Sequence, residues 1–178
     1  MATSLIKLYG EFWNPDIINW GSKGPGNGGK MEGEFTLDKK KYRANFRDAQ
    51  GIYVLYDSFN AVYVGMAFST SIGSRLKDHL TDRHAGRWDM FSWYSTCNFK
   101  KTDSTLKKAG SRIISPETVI YTLEALAILI ANPALNRKRE SLPEANEVTQ
   151  VEQPHPMSIR KYLEQILDRL PESGTEGQ

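Results

Sequence analysis

The chain has 178 residues, 39% of them apolar and 25% charged, which suffices for one core of ordinary size with an appended element. Its one cysteine, Cys97, excludes an internal disulfide bond and a zinc site built from cysteines, and it fits a reducing compartment. The longest apolar run, residues 119–131, is interrupted by Glu124 and is too short to span a bilayer. Because the N-terminus also lacks a basic-then-apolar leader, a cytoplasmic protein is expected.

Charge is distributed unevenly along the chain, although the net charge is only +2. Residues 1–139 carry 20 Lys and Arg against 13 Asp and Glu, whereas residues 140–178 carry 3 against 8. A basic body is compatible with a polyanionic partner, because neutralising phosphates supplies most of the non-specific affinity for nucleic acids. The same asymmetry is common in proteins without such a partner, so it supports this function only together with other features.

Residues 1–49 are interpreted as an N-terminal extension. Trp13 and Trp20 belong to an apolar set that predicts packing against the domain; the alternative is a platform on which nucleic-acid bases stack. The glycine-rich residues 21–30 favour a flexible loop, because Met31 stands where a phosphate-binding loop needs a serine or threonine. A basic cluster follows, either a solvated face or a guide for a nucleic-acid backbone: Lys39, Lys40, Lys41, Arg43 and Arg47.

Two runs of β-branched and aromatic residues, 51–57 and 61–65, flank the short break 58–60 and predict an antiparallel hairpin. With a three-residue loop, Asp57 pairs with Ala61, Leu55 with Tyr63 and Tyr53 with Gly65. Side chains alternate between the faces of a sheet, so Tyr53 and Tyr63 lie on one face, roughly 7–8 Å apart. A glycine then lies opposite Tyr53.

The next element is predicted to be a helix that begins after an N-cap in residues 69–71 and runs to about Arg83. Its core side consists of Ile72, Leu76 and Leu80, which recur every four residues. Arg75 and His79 are also four residues apart and form a stripe at the margin of that side. They are therefore able to act on one ligand.

Residues 87–94 predict a third strand, and the lysine-rich residues 98–115 a loop or short hairpin. Ser115 and Pro116 begin a helix that ends near Ala131. Glu124 lies among apolar helical neighbours, and a carboxylate in apolar surroundings costs several kcal/mol unless it is compensated. The alternatives are an ion pair, for example with Arg75, or a bound metal ion.

These elements lie in residues 50–139, about half of the chain, which resemble the GIY-YIG nuclease family. Gly51-Ile52-Tyr53 and Tyr63-Val64-Gly65 are similar to the two halves of the family signature. Further residues follow in the family's order: Arg75, His79, Glu124 and Asn136. The chain departs from the family pattern in Val64, in the nine residues between the two tyrosines, and in Met66, where a lysine is frequent.

The resemblance implies an α+β fold with a central three-stranded antiparallel sheet flanked by helices. The nuclease-like domain then covers residues 50–139, after the extension 1–49. Residues 140–156 are interpreted as a linker rich in glutamate, proline and glutamine. Residues 157–178 are interpreted as an amphipathic helix followed by a disordered tail.

The resemblance also implies a function: an endonuclease that hydrolyses phosphodiester bonds in DNA with one Mg²⁺ or Mn²⁺ held by Glu124. Tyr53 would be the general base and Arg75 would stabilise the phosphoryl charge. His79 is the rival base or the proton donor, and Asn136 would hold the geometry. Tyr63 is also expected in the catalytic site. The residues expected to contact phosphates in this part of the chain are Lys77, Arg137, Lys138 and Arg139.

Duplex DNA is the expected partner ahead of single-stranded DNA, with RNA as an open alternative. A prokaryotic or phage-related setting, such as restriction, phage defence or repair, fits a short nuclease without a separate recognition domain. Two alternatives to catalysis remain: a catalytically silent nucleic-acid-binding module, and a protein-interaction module. In the last case the C-terminal helix would join a second copy or another protein.

Overall fold

The computed structural model describes residues 4–22, 28–111, 113–133, 135 and 142–151. The strands are β1 (Leu8–Trp13), β2 (Glu32–Leu37), β3 (Lys40–Asn45), β4 (Gly51–Asp57), β5 (Asn60–Ala67), β6 (Met90–Ser95), β7 (Asn98–Lys100), β8 (Thr105–Lys107), β9 (Asn146–Glu147) and β10 (Thr149–Gln150). The helices are α1 (Ile72–Asp78), α2 (Pro116–Ala131) and one turn of 3₁₀ helix at Pro15–Ile17. The fold class is α+β, as expected.

The central sheet has five strands in the order β5-β4-β6-β1-β9. The expected antiparallel unit is present as β5-β4-β6, but β1 pairs with β6 and extends the sheet into the N-terminal residues. A second sheet, β10-β2-β3, and the β7-β8 hairpin complete the strands. The described residues of the extension, 4–22 and 28–49, therefore pack on the domain, as predicted, and β1 also supplies a strand of the central sheet.

The β4-β5 hairpin closes with a two-residue loop rather than the expected three. Ser58 and Phe59 have φ of 49° and 68°, the positive values that a tight turn between twisted strands requires. Asp57 pairs with Asn60, and a register shift between Leu55 and Tyr56 absorbs the extra residue, so the predicted pairing of Asp57 with Ala61 is wrong. The pairings of Leu55 with Tyr63 and of Tyr53 with Gly65 are confirmed.

Two hydrophobic clusters lie on opposite faces of the central sheet, because successive residues of β4 point to opposite sides. Tyr53 and Leu55 pack with Ile72 and Leu76 of α1 and with side chains of β2 and β3. Val54 and Tyr56 pack with Ala125 and Leu129 of α2. Helix α1 and the second sheet thus cover one face, and α2 covers the other.

Helix α1 begins as predicted but ends early. The Ser71 hydroxyl caps it by accepting the Ser74 backbone N–H at 3.2 Å. The helix ends at Asp78 rather than near Arg83, and Leu80, predicted to be a core residue, is 36% exposed. The physical reason lies in the next turn, where Asp82 accepts hydrogen bonds that a continuing helix would not make.

Helix α2 has the predicted ends: Ser115 caps its first turn and Asn132, with φ of 43°, closes its last. Only Thr122, Ala125 and Leu129 of its side chains are buried. Residues 98–107 form the short hairpin that was one of two expectations. Within the described residues, neither helix has the length and apolar character needed to cross a membrane.

Candidate functional site

Four of the residues selected from the sequence meet on the α1 side of the sheet. The β4-β5 hairpin presents Tyr53 and Tyr63, and α1 presents Arg75 and, at its C-terminal cap, His79. The ring centroids of Tyr53 and Tyr63 are 6.2 Å apart, and those of Tyr63 and His79 are 5.2 Å apart. The sequence-based expectation that Tyr53 and Tyr63 share one face of the hairpin is therefore confirmed.

The Tyr53 ring lies directly against the backbone of Gly65. A Cβ added at Gly65 would lie 2.9 Å from Tyr53 Cε1 and closer still to Cζ and to the hydroxyl oxygen. Real Cβ atoms essentially never approach so closely, so only glycine leaves space for the phenol here. The glycine opposite Tyr53 is thus part of what positions the hydroxyl.

A hydrogen-bonded chain runs from Tyr53 through His79 to Asp82. The Tyr53 hydroxyl lies 2.8 Å from His79 Nε2, and His79 Nδ1 lies 2.7 Å from an Asp82 carboxylate oxygen. Because a carboxylate only accepts, we assign the proton to Nδ1, which leaves Nε2 to accept from the Tyr53 hydroxyl. The other Asp82 oxygen accepts the His84 backbone N–H at 2.7 Å.

Sequence reasoning missed Asp82 and His84, because it continued α1 through them. The ring centroids of His84 and Tyr63 lie 4.6 Å apart, and those of His84 and His79 lie 4.9 Å apart. A signal was available in the spacing His-x-x-Asp-x-His from His79 to His84, since a turn brings such residues together. The ligand atoms of these three residues all lie within 4.8 Å of one another.

The environment keeps Tyr53 protonated. Burial raises the pKa of Tyr53 to about 12, with Tyr63 adding to the rise and Arg75 opposing it. A phenol with this pKa is ionised in only about one molecule in 10⁵ at pH 7. Partial burial alone would raise the pKa of the Asp82 carboxyl, but hydrogen bonds from the His84 backbone and from His79 bring it below its usual value.

Solvent reaches only part of this group of residues. Tyr53 has 0% and His79 2% of its surface exposed, whereas Tyr63 and His84 are half-buried. The side chain of Arg75 is 40% exposed and lies 3.7 Å from the carboxylate of Asp78. Tyr63, Arg75 and His84 therefore form the accessible front of the site, and the Tyr53–His79 pair lies behind it.

Glu124 does not join this group in the described structure. It is exposed on α2, whose buried residues pack against the opposite face of the sheet. The expectation of a carboxylate buried among apolar neighbours is wrong, because Ile120 and Leu123 are themselves 66% and 61% exposed. Apolar neighbours on a helix do not show that a residue is buried, because only one side of α2 packs against the sheet.

Four residues of the basic cluster, Lys39, Lys40, Lys41 and Arg43, lie on the β2-β3 hairpin, where acidic side chains of β2 pair with two of them. Glu34 pairs with Lys41, and Glu32 pairs with Arg43. These cross-strand partners lie about seven to eleven positions away in the sequence, so the local sequence does not indicate them. The exposed fraction of Trp13 is 2%, which excludes it from a base-stacking platform, whereas Trp20 is partly exposed and lines a groove of about 360 Å³ with Trp88.

The other expected contact residues are divided between described and undescribed parts of the chain. Lys39 and Lys40 are exposed at the turn and start of β3, and Lys77 is half-buried, with its ammonium 3.5 Å from the Gly21 carbonyl oxygen. Asn136 and the triplet Arg137, Lys138 and Arg139 lie outside the described residues, as do residues 157–178.

Comparisons of the chain with family models, with curated proteins and with solved structures find no significant match. The proposed function therefore rests on the geometry of the residues described above.

Proposed function

We propose that this chain is an endonuclease that hydrolyses phosphodiester bonds in DNA, with Tyr53, Tyr63, Arg75 and His79 as its catalytic groups. The observation that carries the proposal is the 2.8 Å contact between the Tyr53 hydroxyl and His79 Nε2, with Tyr63 and Arg75 directly in front of it. These are the side chains of the GIY-YIG resemblance, and they converge from two different elements.

Phosphodiester hydrolysis needs an aligned water, a group that takes its proton, and positive charge on the phosphate oxygens. Arg75 supplies the charge, since its guanidinium is half-exposed and its pKa is raised, chiefly by the neighbouring Tyr53 hydroxyl. Its planar donors suit a phosphate group. A phosphate bound there would also lie against Tyr63, the half-buried phenol at the accessible front of the site.

The proton acceptor is better assigned to His79 than to a Tyr53 phenolate. A phenol with a pKa of about 12 is a poor base at neutral pH. His79 Nε2 accepts the Tyr53 hydroxyl proton as Tyr53 takes one from the Tyr63 side, where water has access. Asp82 acts as a positioning residue, because it holds the Nδ1 proton and stabilises the imidazolium that forms.

The resemblance also implies one Mg²⁺ or Mn²⁺ on Glu124, and the described residues do not fit that site. Glu124 is exposed on the α2 face, whereas Tyr53 and Arg75 lie on the α1 face of the sheet. No catalytic step is assigned to an ion at Glu124.

The test is cleavage of plasmid and oligonucleotide DNA by the purified full chain, with Mg²⁺, with Mn²⁺ and with chelator. Tyr53→Phe and His79→Ala are expected to reduce cleavage by about 10²–10⁴, the usual contribution of a positioned acid or base. Tyr121→Phe is the matched control, because Tyr121 is a half-buried tyrosine on α2. If the chain binds DNA but does not cleave it, the enzyme proposal is wrong and the chain is a catalytically silent binding module.

A panel of duplex DNA, single-stranded DNA, branched DNA and RNA at one salt concentration then defines the substrate. Fixed salt is necessary because phosphate contacts make affinity strongly dependent on ionic strength. Duplex DNA is the expected substrate, and preferential cleavage of RNA would contradict that part of the proposal.

A further inference from the structure

We propose that His79, Asp82 and His84 bind one transition-metal ion of the Zn²⁺ or Co²⁺ type at the C-terminal end of α1. Their ligand atoms lie within 4.8 Å of one another. The proposed nuclease chemistry uses His79 and Asp82 of this turn but assigns no role to His84. The inference goes beyond the proposed nuclease activity and does not depend on it, because metal binding is measured without a substrate.

The local structure explains why these three residues meet. His79 is the C-cap of α1, and the chain turns through residues 80–86 instead of continuing the helix. The Asp82 carboxylate forms hydrogen bonds with both histidines. One oxygen lies 2.7 Å from His79 Nδ1, and the other accepts the His84 backbone N–H at 2.7 Å. The His79 and His84 rings thereby stand 4.9 Å apart with the carboxylate beside them.

The donor set selects the class of ion. Two imidazoles and one carboxylate are typical ligands of Zn²⁺ and of neighbouring transition metals, at about 2.0–2.2 Å. Mg²⁺ prefers oxygen ligands and keeps several waters, so this set disfavours it. Three protein ligands also leave a fourth position open to water, as in catalytic zinc sites.

The exposure of two of the three ligands gives an ion access to the site. The His79 side chain is 3% exposed and held by its neighbours, whereas the Asp82 side chain is 37% exposed and His84 is half-buried. An ion therefore reaches the three ligand atoms from the side of Asp82 and His84. Arg83 donates to His84 Nε2 at 3.2 Å, and this exposed contact is lost when either nitrogen of His84 binds a metal.

Tyr53 completes the site from behind. When Nδ1 of His79 binds the ion, Nε2 carries the proton and donates it to the Tyr53 oxygen, 2.8 Å away, so in the metal-bound form His79 does not serve as the proton acceptor proposed above. A metal-bound histidine usually donates its second N–H in this way, which fixes the ring and strengthens the ligand.

The test uses the full chain without an affinity tag, freed of metal with a chelator and titrated with Co²⁺ and Zn²⁺. Visible absorption of Co²⁺ reports its geometry, and calorimetry gives the Zn²⁺ affinity and stoichiometry. One ion per chain is expected, with no displacement by millimolar Mg²⁺. Asp82→Asn and His84→Ala should each weaken binding by at least about tenfold, the effect seen even for residues behind the ligands.

Two matched controls accompany these variants. Asp78→Asn removes an exposed carboxylate of the same segment, and His155→Ala removes the one histidine of the sequence outside the cluster. Both should bind metal as the wild type does, and thermal unfolding checks that every variant is folded. The proposal is overturned if the wild type takes up no Co²⁺, if Asp82→Asn and His84→Ala bind normally, or if His155→Ala abolishes binding. Failure of this site with intact DNA cleavage would leave the nuclease proposal standing.

Discussion

Gly65→Ala is the sharpest test of how the Tyr53 hydroxyl is positioned. The added methyl would lie 2.9 Å from Tyr53 Cε1, and ordinary contacts begin near 3.4 Å, so Cε1 must retreat by 0.5 Å and Cζ and the hydroxyl by more. Gly65 does not need a positive φ, so the effect is steric rather than conformational. The ring is fully buried, which leaves it little space for this movement.

The expected cost of Gly65→Ala has two parts. Overpacking a buried contact typically destabilises a protein by about 1–3 kcal/mol, which denaturant unfolding measures. Displacement of the hydroxyl from His79 should slow cleavage by roughly 10²-fold, the scale associated with a misplacement near 1 Å. Gly110→Ala is the matched control, because a Cβ there meets nothing within 4 Å.

A double variant separates position from stability. In a Tyr53→Phe background the clash with the ring remains, so Gly65→Ala should still destabilise the chain. It should not slow cleavage further, because the hydroxyl that it displaces is already absent. A folded Gly65→Ala variant that cuts DNA at the wild-type rate would refute the role given to the Tyr53–His79 contact.

Three further predictions concern the base, the pKa of Tyr53 and the role of Glu124. Because the pKa of Tyr53 is raised to about 12, a cleavage rate that rises tenfold per pH unit towards pH 12 would identify the Tyr53 phenolate as the base and contradict the assignment of His79. Because folding raises the pKa of Tyr53 from about 10 to about 12, the stability from its neutral form is present below pH 10 and lost between pH 10 and 12; Tyr53→Phe should therefore unfold less steeply in that range in alkaline denaturation. Finally, Glu124→Ala should retain cleavage in a gel assay, since its exposed carboxylate lies on the α2 face, and a complete loss would favour the metal role that the resemblance implies.

Local features of this protein were predictable from its sequence because neighbouring residues determine them. The caps Ser71 and Ser115, the ends of α2 and the pairing of Tyr53 with Gly65 depend on side chains that lie close in the chain or across one tight hairpin. The same reasoning paired Tyr53 with Tyr63 on the hairpin and Arg75 with His79 on α1, whereas only the family resemblance implied that the two pairs share one site. Each of the two pairs depends on a strand alternation or a helix turn of known geometry.

Interactions between distant segments were not predictable in the same way. The pairing of β1 with β6 joins residues about eighty positions apart, and the ion pairs of Glu32 and Glu34 depend on the register of β2 with β3. No local pattern specifies such partners, because many strands compete for the same edge.

The sequence by itself determined the α+β class, the β4-β5 hairpin and the tyrosine, arginine and histidine residues of the site. Only the tertiary structure decided that α1 stops at Asp78, which brings Asp82 and His84 to His79, and that α2 leaves Glu124 exposed. The physical reason is the same in both cases. Whether a helix continues and which of its sides is buried depend on what packs against it and on which polar groups find partners, and both are properties of the folded chain.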